Sequence, residues 1–221
     1  MRLIDLSHPI QAGMITYPGL PGPVLSDHLT REASRKTYSP GTSFLIAKIE
    51  MVANTGTYVD APFHRFEGRE DVAGLPLSRL AGVPGIAADA AGRGRALDAD
   101  LLTGMSVRGR AVLVRTGWSA HFGTPRYGEG HPYLTRAAAQ ALVDGGAAVV
   151  GIDSLNIDDT KDFERPVHTL LLGAGIPIVE HLTNLESLPR DGFRFTAVPA
   201  PVRGMGSFPV RAYAVVSEED R

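Results

Sequence analysis

Cysteine is absent from the 221 residues. That excludes a disulfide framework, a thiolate nucleophile, Cys-ligated structural zinc and iron–sulfur clusters. Lysine is scarce as well, limited to Lys36, Lys48 and Lys161; arginine carries the remaining basic charge, which reads as coding bias and not as function. No sign of charge dominates: 22 basic against 24 acidic residues give a formal net charge of -2. The chain therefore lacks the electrostatic footprint that nucleic acid or an anionic membrane requires, and a small-molecule partner fits better. No run approaches the ~20 apolar residues of a membrane span. The opening residues place Asp5 and His8 where a signal peptide needs an unbroken apolar stretch, so the expectation is a soluble, cytoplasmic protein.

Several catalytic signatures are also missing. There is no G-x-S-x-G elbow, no phosphate-binding G-x-x-x-x-G-K-[ST], no G-x-G-x-x-G and no H-E-x-x-H. Gly204-Met205-Gly206-Ser207 reads as a tight turn before the last strand.

What is abundant is turn chemistry, with 25 glycines and 16 prolines spread along the chain. Many short elements follow. Apolar runs bounded by turn residues predict strands at 44–52, 111–115, 147–153, 176–180, 193–198 and 210–216, several of them apolar on both faces and so covered on both sides. An Ala-rich helix at 135–144 ends on Gly145-Gly146 and leads into a strand; a short helix at 98–102 is also predicted. The fold class is α/β, one mixed domain over 1–221. Residues 18–23 read as a stiff loop and 26–40 as polar surface or interface.

The densest chemical candidate is the stretch from Asn54 to Arg65. On an extended chain Asn54, Tyr58 and Asp60 point to one side. Fully extended, Asp60 and His64 would stand about 13 Å apart, so a turn at Ala61-Pro62 is needed to bring them together. Spacing alone equally allows a strand end with a surface Asp/His pair. A second set is His168 with Glu180, the latter ending an apolar strand, where sheet proteins of this class place functional groups. Its alternative is a satisfied core or surface pair, and His181 points to the other face.

Together these segments resemble the cyclase family that contains bacterial kynurenine formamidase and isatin hydrolase. The family motif H-x-G-T-H-x-D-x-P-x-H matches Asn54-Thr55-Gly56-Thr57-Tyr58-Val59-Asp60-Ala61-Pro62-Phe63-His64. Asp5-Leu6-Ser7-His8-Pro9-Ile10, Tyr17-Pro18-Gly19, Gly151-Ile152-Asp153-Ser154, the His168 to Glu180 spacing, Asn184-Leu185 and Ser207 to Ala212 are also similar. The resemblance implies a swivelling β/β/α-type domain and a homodimer or homotetramer. It implies that motif histidines and the aspartate bind a divalent metal, that a further His and Glu join the aspartate, and that the last motif His is the acid/base. Asp60, His64, His168 and Glu180 match those roles, Asn54 and Tyr58 replace the two metal-binding histidines, and Tyr17 stands where many relatives have a tryptophan near the substrate.

With two imidazoles replaced, one cation held by Asp60, His168 and Glu180, with Asn54 or water completing the shell, is expected, and this oxygen-rich set favours Mn²⁺ or Mg²⁺ over Zn²⁺. The implied reaction is hydrolysis of a small amide, lactam or ester, arylformamidase-like, with His64 moving the proton. A metal-free cyclase or dehydratase using Tyr58, Asp60 and His64 is the alternative, and a non-catalytic binding relative a third. Tyr17, Phe63 and Arg65 are the substrate-binding candidates, with Arg65 suited to a carboxylate. Phe44 and Phe163 are further aromatic candidates.

Overall fold

Thirteen strands and three α-helices alternate along residues 1–217, the part of the chain that this computed structural model describes. In chain order they are β1 (Arg2–Asp5), β2 (Val24–Leu29), α1 (Arg31–Ser34), β3 (Ile46–Glu50), β4 (Tyr58–Asp60), β5 (Val83–Asp89), β6 (Ala96–Leu97) and β7 (Ala111–Arg115). Then follow β8 (Tyr133–Leu134), α2 (Arg136–Gly145), β9 (Val149–Ile152), α3 (Pro166–Gly173), β10 (Ile178–Glu180), β11 (Phe193–Thr196), β12 (Ser207–Pro209) and β13 (Tyr213–Val216).

Nine strands make one mixed sheet in the order β1-β13-β11-β5-β7-β9-β10-β4-β12. Its centre, β5-β7-β9-β10, is parallel; β4 runs antiparallel between β10 and β12. Residues on a strand alternate between faces, so β7 divides its side chains between two cores. Val112 and Val114 pack with Val150, Ile152 and Ile178 under α2 and α3. Ala111 and Leu113 join Val149, Val179, Leu6 and Phe195 on the opposite face. All of these β7 residues are fully buried, as their two-sided apolar run predicts.

Helix α2 forms where its signals place it. Thr135 Oγ1 accepts from Ala138 N (3.2 Å) at the start, and Gly146 at φ 72° closes the end by donating to Leu142 and Val143. Ala138, Ala139 and Leu142 turn inward. The stretch at 98–102 is a 3-10 turn, Ala99–Leu102, and not an α-helix.

Three features depart from the sequence reading. The strand at 44–52 shortens to β3 and lies outside the main sheet, paired only with β2 in a separate ribbon whose residues are exposed, Leu29 alone being half-buried. Strand β5 was hidden by Pro84 and Gly85; a Cβ on Gly85 would meet the Phe193 ring at 2.0 Å, so glycine here lets two strands pack. Helix α3 has no counterpart in the sequence reading, and its Pro166 is a first-turn proline. Among the described residues no helix is long and apolar enough to cross a membrane.

Candidate active site

Strand β4 carries the central residues because its neighbours supply the rest. Its antiparallel partner β10 ends on Glu180, opposite Tyr58, while β12 begins with Ser207, opposite Asp60. After β4 the chain enters a 3-10 turn at Pro62–His64, with His64 N donating to Ala61 O (2.9 Å). The turn folds the imidazole back until His64 Nδ1 is 3.9 Å from Asp60 Oδ1. The opposite side comes from α3, where His168 Nε2 approaches Asp60 Oδ2 at 3.7 Å and Glu180 Oε1 at 3.9 Å.

Hydrogen bonds fix which atoms remain free. Asp158, from the segment after β9, accepts from Val167 N (2.7 Å), His168 N (3.0 Å) and His168 Nδ1 (2.6 Å). It caps α3 and holds the imidazole so that Nε2 faces Asp60, as carboxylates behind ligating histidines do. Ser207 Oγ donates to Asp60 Oδ1, and a hydroxyl has only one proton. Its contacts with Asn54 Nδ2 (3.3 Å) and His64 Nδ1 (3.0 Å) must therefore be donations from Asn54 and His64. His64 thus presents Nδ1–H to Ser207, and its Nε2 is the ring nitrogen left for the cavity. Glu180 accepts from the Tyr58 hydroxyl (2.6 Å) and from Ile157 N (2.7 Å).

The electrostatics point to a cation. Burial alone would raise the Asp60 carboxyl, but His64, His168 and the Ser207 hydroxyl hold it below its ordinary value. Burial would likewise lower His168, yet Asp158, Asp60 and Glu180 push it up to about 10. Glu180 is raised to about 7, by burial and by Asp60, against the pull of His168. Burial and the same two carboxylates push the Tyr58 phenol well up, so it stays protonated and gives its proton to Glu180. Three carboxylates thus crowd one imidazole.

Asp60, His64 and His168 form the one group of three such side chains, among the described residues, whose donor atoms lie within 4.8 Å of one another. Asp60 is fully buried and its Oδ2 has no hydrogen-bond partner. A buried carboxylate oxygen needs a charged partner, and here that partner is the His168 imidazole at 3.7 Å or a cation held between the two. With His168 Nε2 beside it, the arrangement fits a divalent cation.

Above this floor opens a cavity of about 300 Å³ lined by Tyr17, Asn54, Tyr58, His64, Arg65 and His168, with Leu20, Asn156, Arg165 and Glu180 completing the wall. The expected Asn54, Tyr58, Asp60, His64, His168 and Glu180 come together, and Tyr17 and Arg65 reach the cavity. Phe63 does not line it, Phe44 is half exposed on the ribbon, and Phe163 is 92% exposed. Asn54 Nδ2 donates to Ser207 Oγ, and the Tyr58 hydroxyl donates to Glu180. Sequence reasoning missed Ser207, Asp158 and Arg165. The position of Asp158 just beyond a parallel strand's carboxyl end was the available signal for that residue. His181, set apart as structural, is fully buried at φ 57° with Nδ1 on the Tyr127 hydroxyl (2.8 Å).

Known proteins are similar to this chain in sequence and in fold. The kynurenine formamidase of Bacillus cereus is 27% identical over 213 residues, covering 95% of each chain. A solved potential metal-dependent hydrolase with cyclase activity superposes with a TM-score of 0.79 at 26% identity, over 96% of both chains. Isatin hydrolase A from Ralstonia solanacearum shares the fold, with a TM-score of 0.81 at 22% identity over 98% of this chain and 92% of that one. The Cyclase family model matches residues 4–159, more than half the chain, and the protein belongs to that family.

Proposed function

We propose that the chain is a metal-dependent hydrolase of a small amide, lactam or ester, arylformamidase-like in its reaction. The observation that carries this reading is the unpartnered Asp60 Oδ2 facing His168 Nε2 across 3.7 Å at the floor of the cavity. Asp60 and His168 would hold the cation, with Glu180 Oε1 next in reach. A divalent cation there supplies Lewis acidity to a carbonyl oxygen and lowers the proton affinity of water. With His168 as the one nitrogen donor among the carboxylates, Mn²⁺ or Mg²⁺ stays favoured over Zn²⁺. His64 is the most exposed member of the trio, with 38% of its side chain open. Its Nδ1 is tied to Ser207 and its Nε2 is free, the state needed to take a proton from a nucleophile and return it to a leaving nitrogen. Tyr58 fixes Glu180 and so has no proton left for an oxyanion, which removes the main support for the metal-free alternative. The swivelling β/β/α type belongs to the same reading, supported by the mixed sheet.

The test is metal analysis of the purified chain, then turnover of formanilide and isatin before and after EDTA and with Mn²⁺ or Zn²⁺ restored. About one bound ion per chain and EDTA-sensitive hydrolysis are expected. Turnover that EDTA leaves intact would return the metal-free reading; neither metal nor turnover would leave a binding protein.

Self-association belongs to the same proposal. The β2–β3 ribbon exposes Val24, Leu25, Ile46 and Ile49, and Phe44 and Leu45 continue the patch. By their fractional exposures these six residues present on the order of 500 Å², at the upper end of what a typical monomer leaves open in one patch and below the ~800 Å² that each side of a standard interface buries. An isolated two-stranded ribbon is marginal in water. A second copy of this chain is the occupant we assign to it.

A further inference from the structure

Two arginines at the mouth of the cavity lack a charged partner. Arg65 follows His64 directly, and Arg165 precedes α3; both line the same cavity. Among the described residues Arg65 Nε only donates to Thr169 Oγ1 (3.3 Å) while its guanidinium lies 5.4 Å from the Phe66 ring centre. Arg165 Nη1 donates only to the Asp159 backbone oxygen (3.1 Å). The acids beside Arg165 are already engaged: Asp159 lies 3.6 Å from Arg95, and Glu164 2.7 Å from Arg136. Among the described residues neither guanidinium forms an ion pair.

The backbone at Arg165 is unusual too. It sits in the left-handed region, φ 49° and ψ 59°, immediately before Pro166. A non-glycine residue there costs roughly 1–3 kcal/mol, and such residues cluster at ligand clamps. The first amides of α3 are not the attraction, because Asp158 already accepts from Val167 N and His168 N. What faces the cavity mouth is the pair of side chains.

The charge layout also has a direction. The floor's carboxylates would be balanced by His168 and the proposed cation, whereas the guanidinium charge at the rim has no acidic partner among the described residues, so an anionic group finds its unmatched counter-charge at the rim. We infer that Arg65 and Arg165 form an anion subsite, and that the substrate is a small amide or lactam carrying a carboxylate, held with that carboxylate outward and its carbonyl toward Asp60 and His168. This rests on the hydrolase reading for the carbonyl end only. Guanidinium groups suit the task because they stay charged and meet a carboxylate with paired donors.

Binding and turnover separate the two ideas. Anthranilate and 2-aminobenzamide have the same ring and amine and differ in whether a carboxylate or a neutral amide is present. Calorimetry on the purified chain is expected to show anthranilate binding about 10-fold tighter or more, with the preference shrinking as salt rises. Arg65→Gln, an exposed change that leaves the fold alone, and Arg165→Asn, which tolerates the left-handed backbone, should each reduce that preference, and the double variant should abolish it. In turnover, the ratio of kcat/KM for N-formylanthranilate to that for formanilide should collapse in the double variant, mainly through KM. Equal binding of the two ligands by the wild-type chain, or a preference that survives in the double variant, would overturn the subsite. If neither formamide nor isatin is hydrolysed, the hydrolase reading falls and the calorimetric preference still decides the subsite.

Discussion

Ser207 has one proton to give and two lone pairs to fill, and that small inventory sets the chemistry of two neighbours. By donating to Asp60 it obliges His64 to donate from Nδ1, which leaves Nε2 basic and turned to the cavity. His64→Ala should therefore lower kcat about 10²–10⁴-fold while metal content is retained. Loss of the metal together with activity would make His64 a ligand instead. Ser207→Ala is expected to lower kcat about 10-fold with KM little changed, and Ser207→Thr to restore it, because the hydroxyl positions His64 without touching substrate. Two other histidines act on stability. Burial holds His8, stacked on Phe122 at 3.7 Å, down to about 4, and His181 down to about 3. Both sit below the ~6.5 of an unfolded chain, so the unfolded state binds more protons as pH falls below 6.5, and stability falls with it. Denaturant titrations should lose stability from pH 6.5 to 5, where the two protons taken up by the unfolded His8 and His181 outweigh the one that the raised Glu180 keeps in the folded chain; above pH 7 the raised His168 makes stability fall again as pH rises. A level profile down to pH 5 would contradict the assignment.

At the scale of elements, the site depends on how closely β12 approaches the turn after β4. A Cβ on Gly206 would lie 2.6 Å from His64 Cα and 2.9 Å from His64 N, both rigid backbone atoms. Gly206→Ala should cost about 1–3 kcal/mol by denaturation, as overpacking does, and displace both Ser207 and His64 so that activity falls further than stability alone explains. An alanine variant of full activity would show that this contact can give. The same contact explains what the sequence made legible and what it did not. Asn54, Tyr58, Asp60 and His64 fall within one short stretch, where strand alternation and the Pro62 turn are local rules. Helix α2 carries its cap and its glycine stop. Ser207 meets Asp60 across 147 residues, through a strand pairing that no local spacing encodes. Asp158 reaches His168 because it caps a helix whose opening proline disguised it. Strand β5 escaped notice because its Pro84 and Gly85 look like a turn until Phe193 fills the space beside them. The strand read at 44–52 was apolar enough for a core, and its apolar residues stand in solvent.

That exposed ribbon is the main unsatisfied feature of the whole molecule. Both of its ends attach near the cavity: the loop before β2 contributes Leu20 to the lining, and the chain after β3 contributes Asn54. An interface built on the ribbon would therefore brace the rim of the site as well as cover apolar surface. Symmetry favours this arrangement, since a two-fold axis pairs the same patch with itself and closes the assembly without leaving a sticky edge. Leu25 and Ile49 are direct cross-strand partners, so replacing both puts two charges on one spot of the patch. Light scattering on the wild-type chain at micromolar concentration is expected to give a dimer or tetramer. Leu25→Asp with Ile49→Asp should give a monomer that retains the core and its cooperative unfolding, because neither residue belongs to a core cluster. Activity of that monomer should fall through KM if the rim loosens when the ribbon is unpartnered. A wild-type chain that stays monomeric at these concentrations would show that the ribbon stands alone in water, against the marginal stability of two-stranded ribbons.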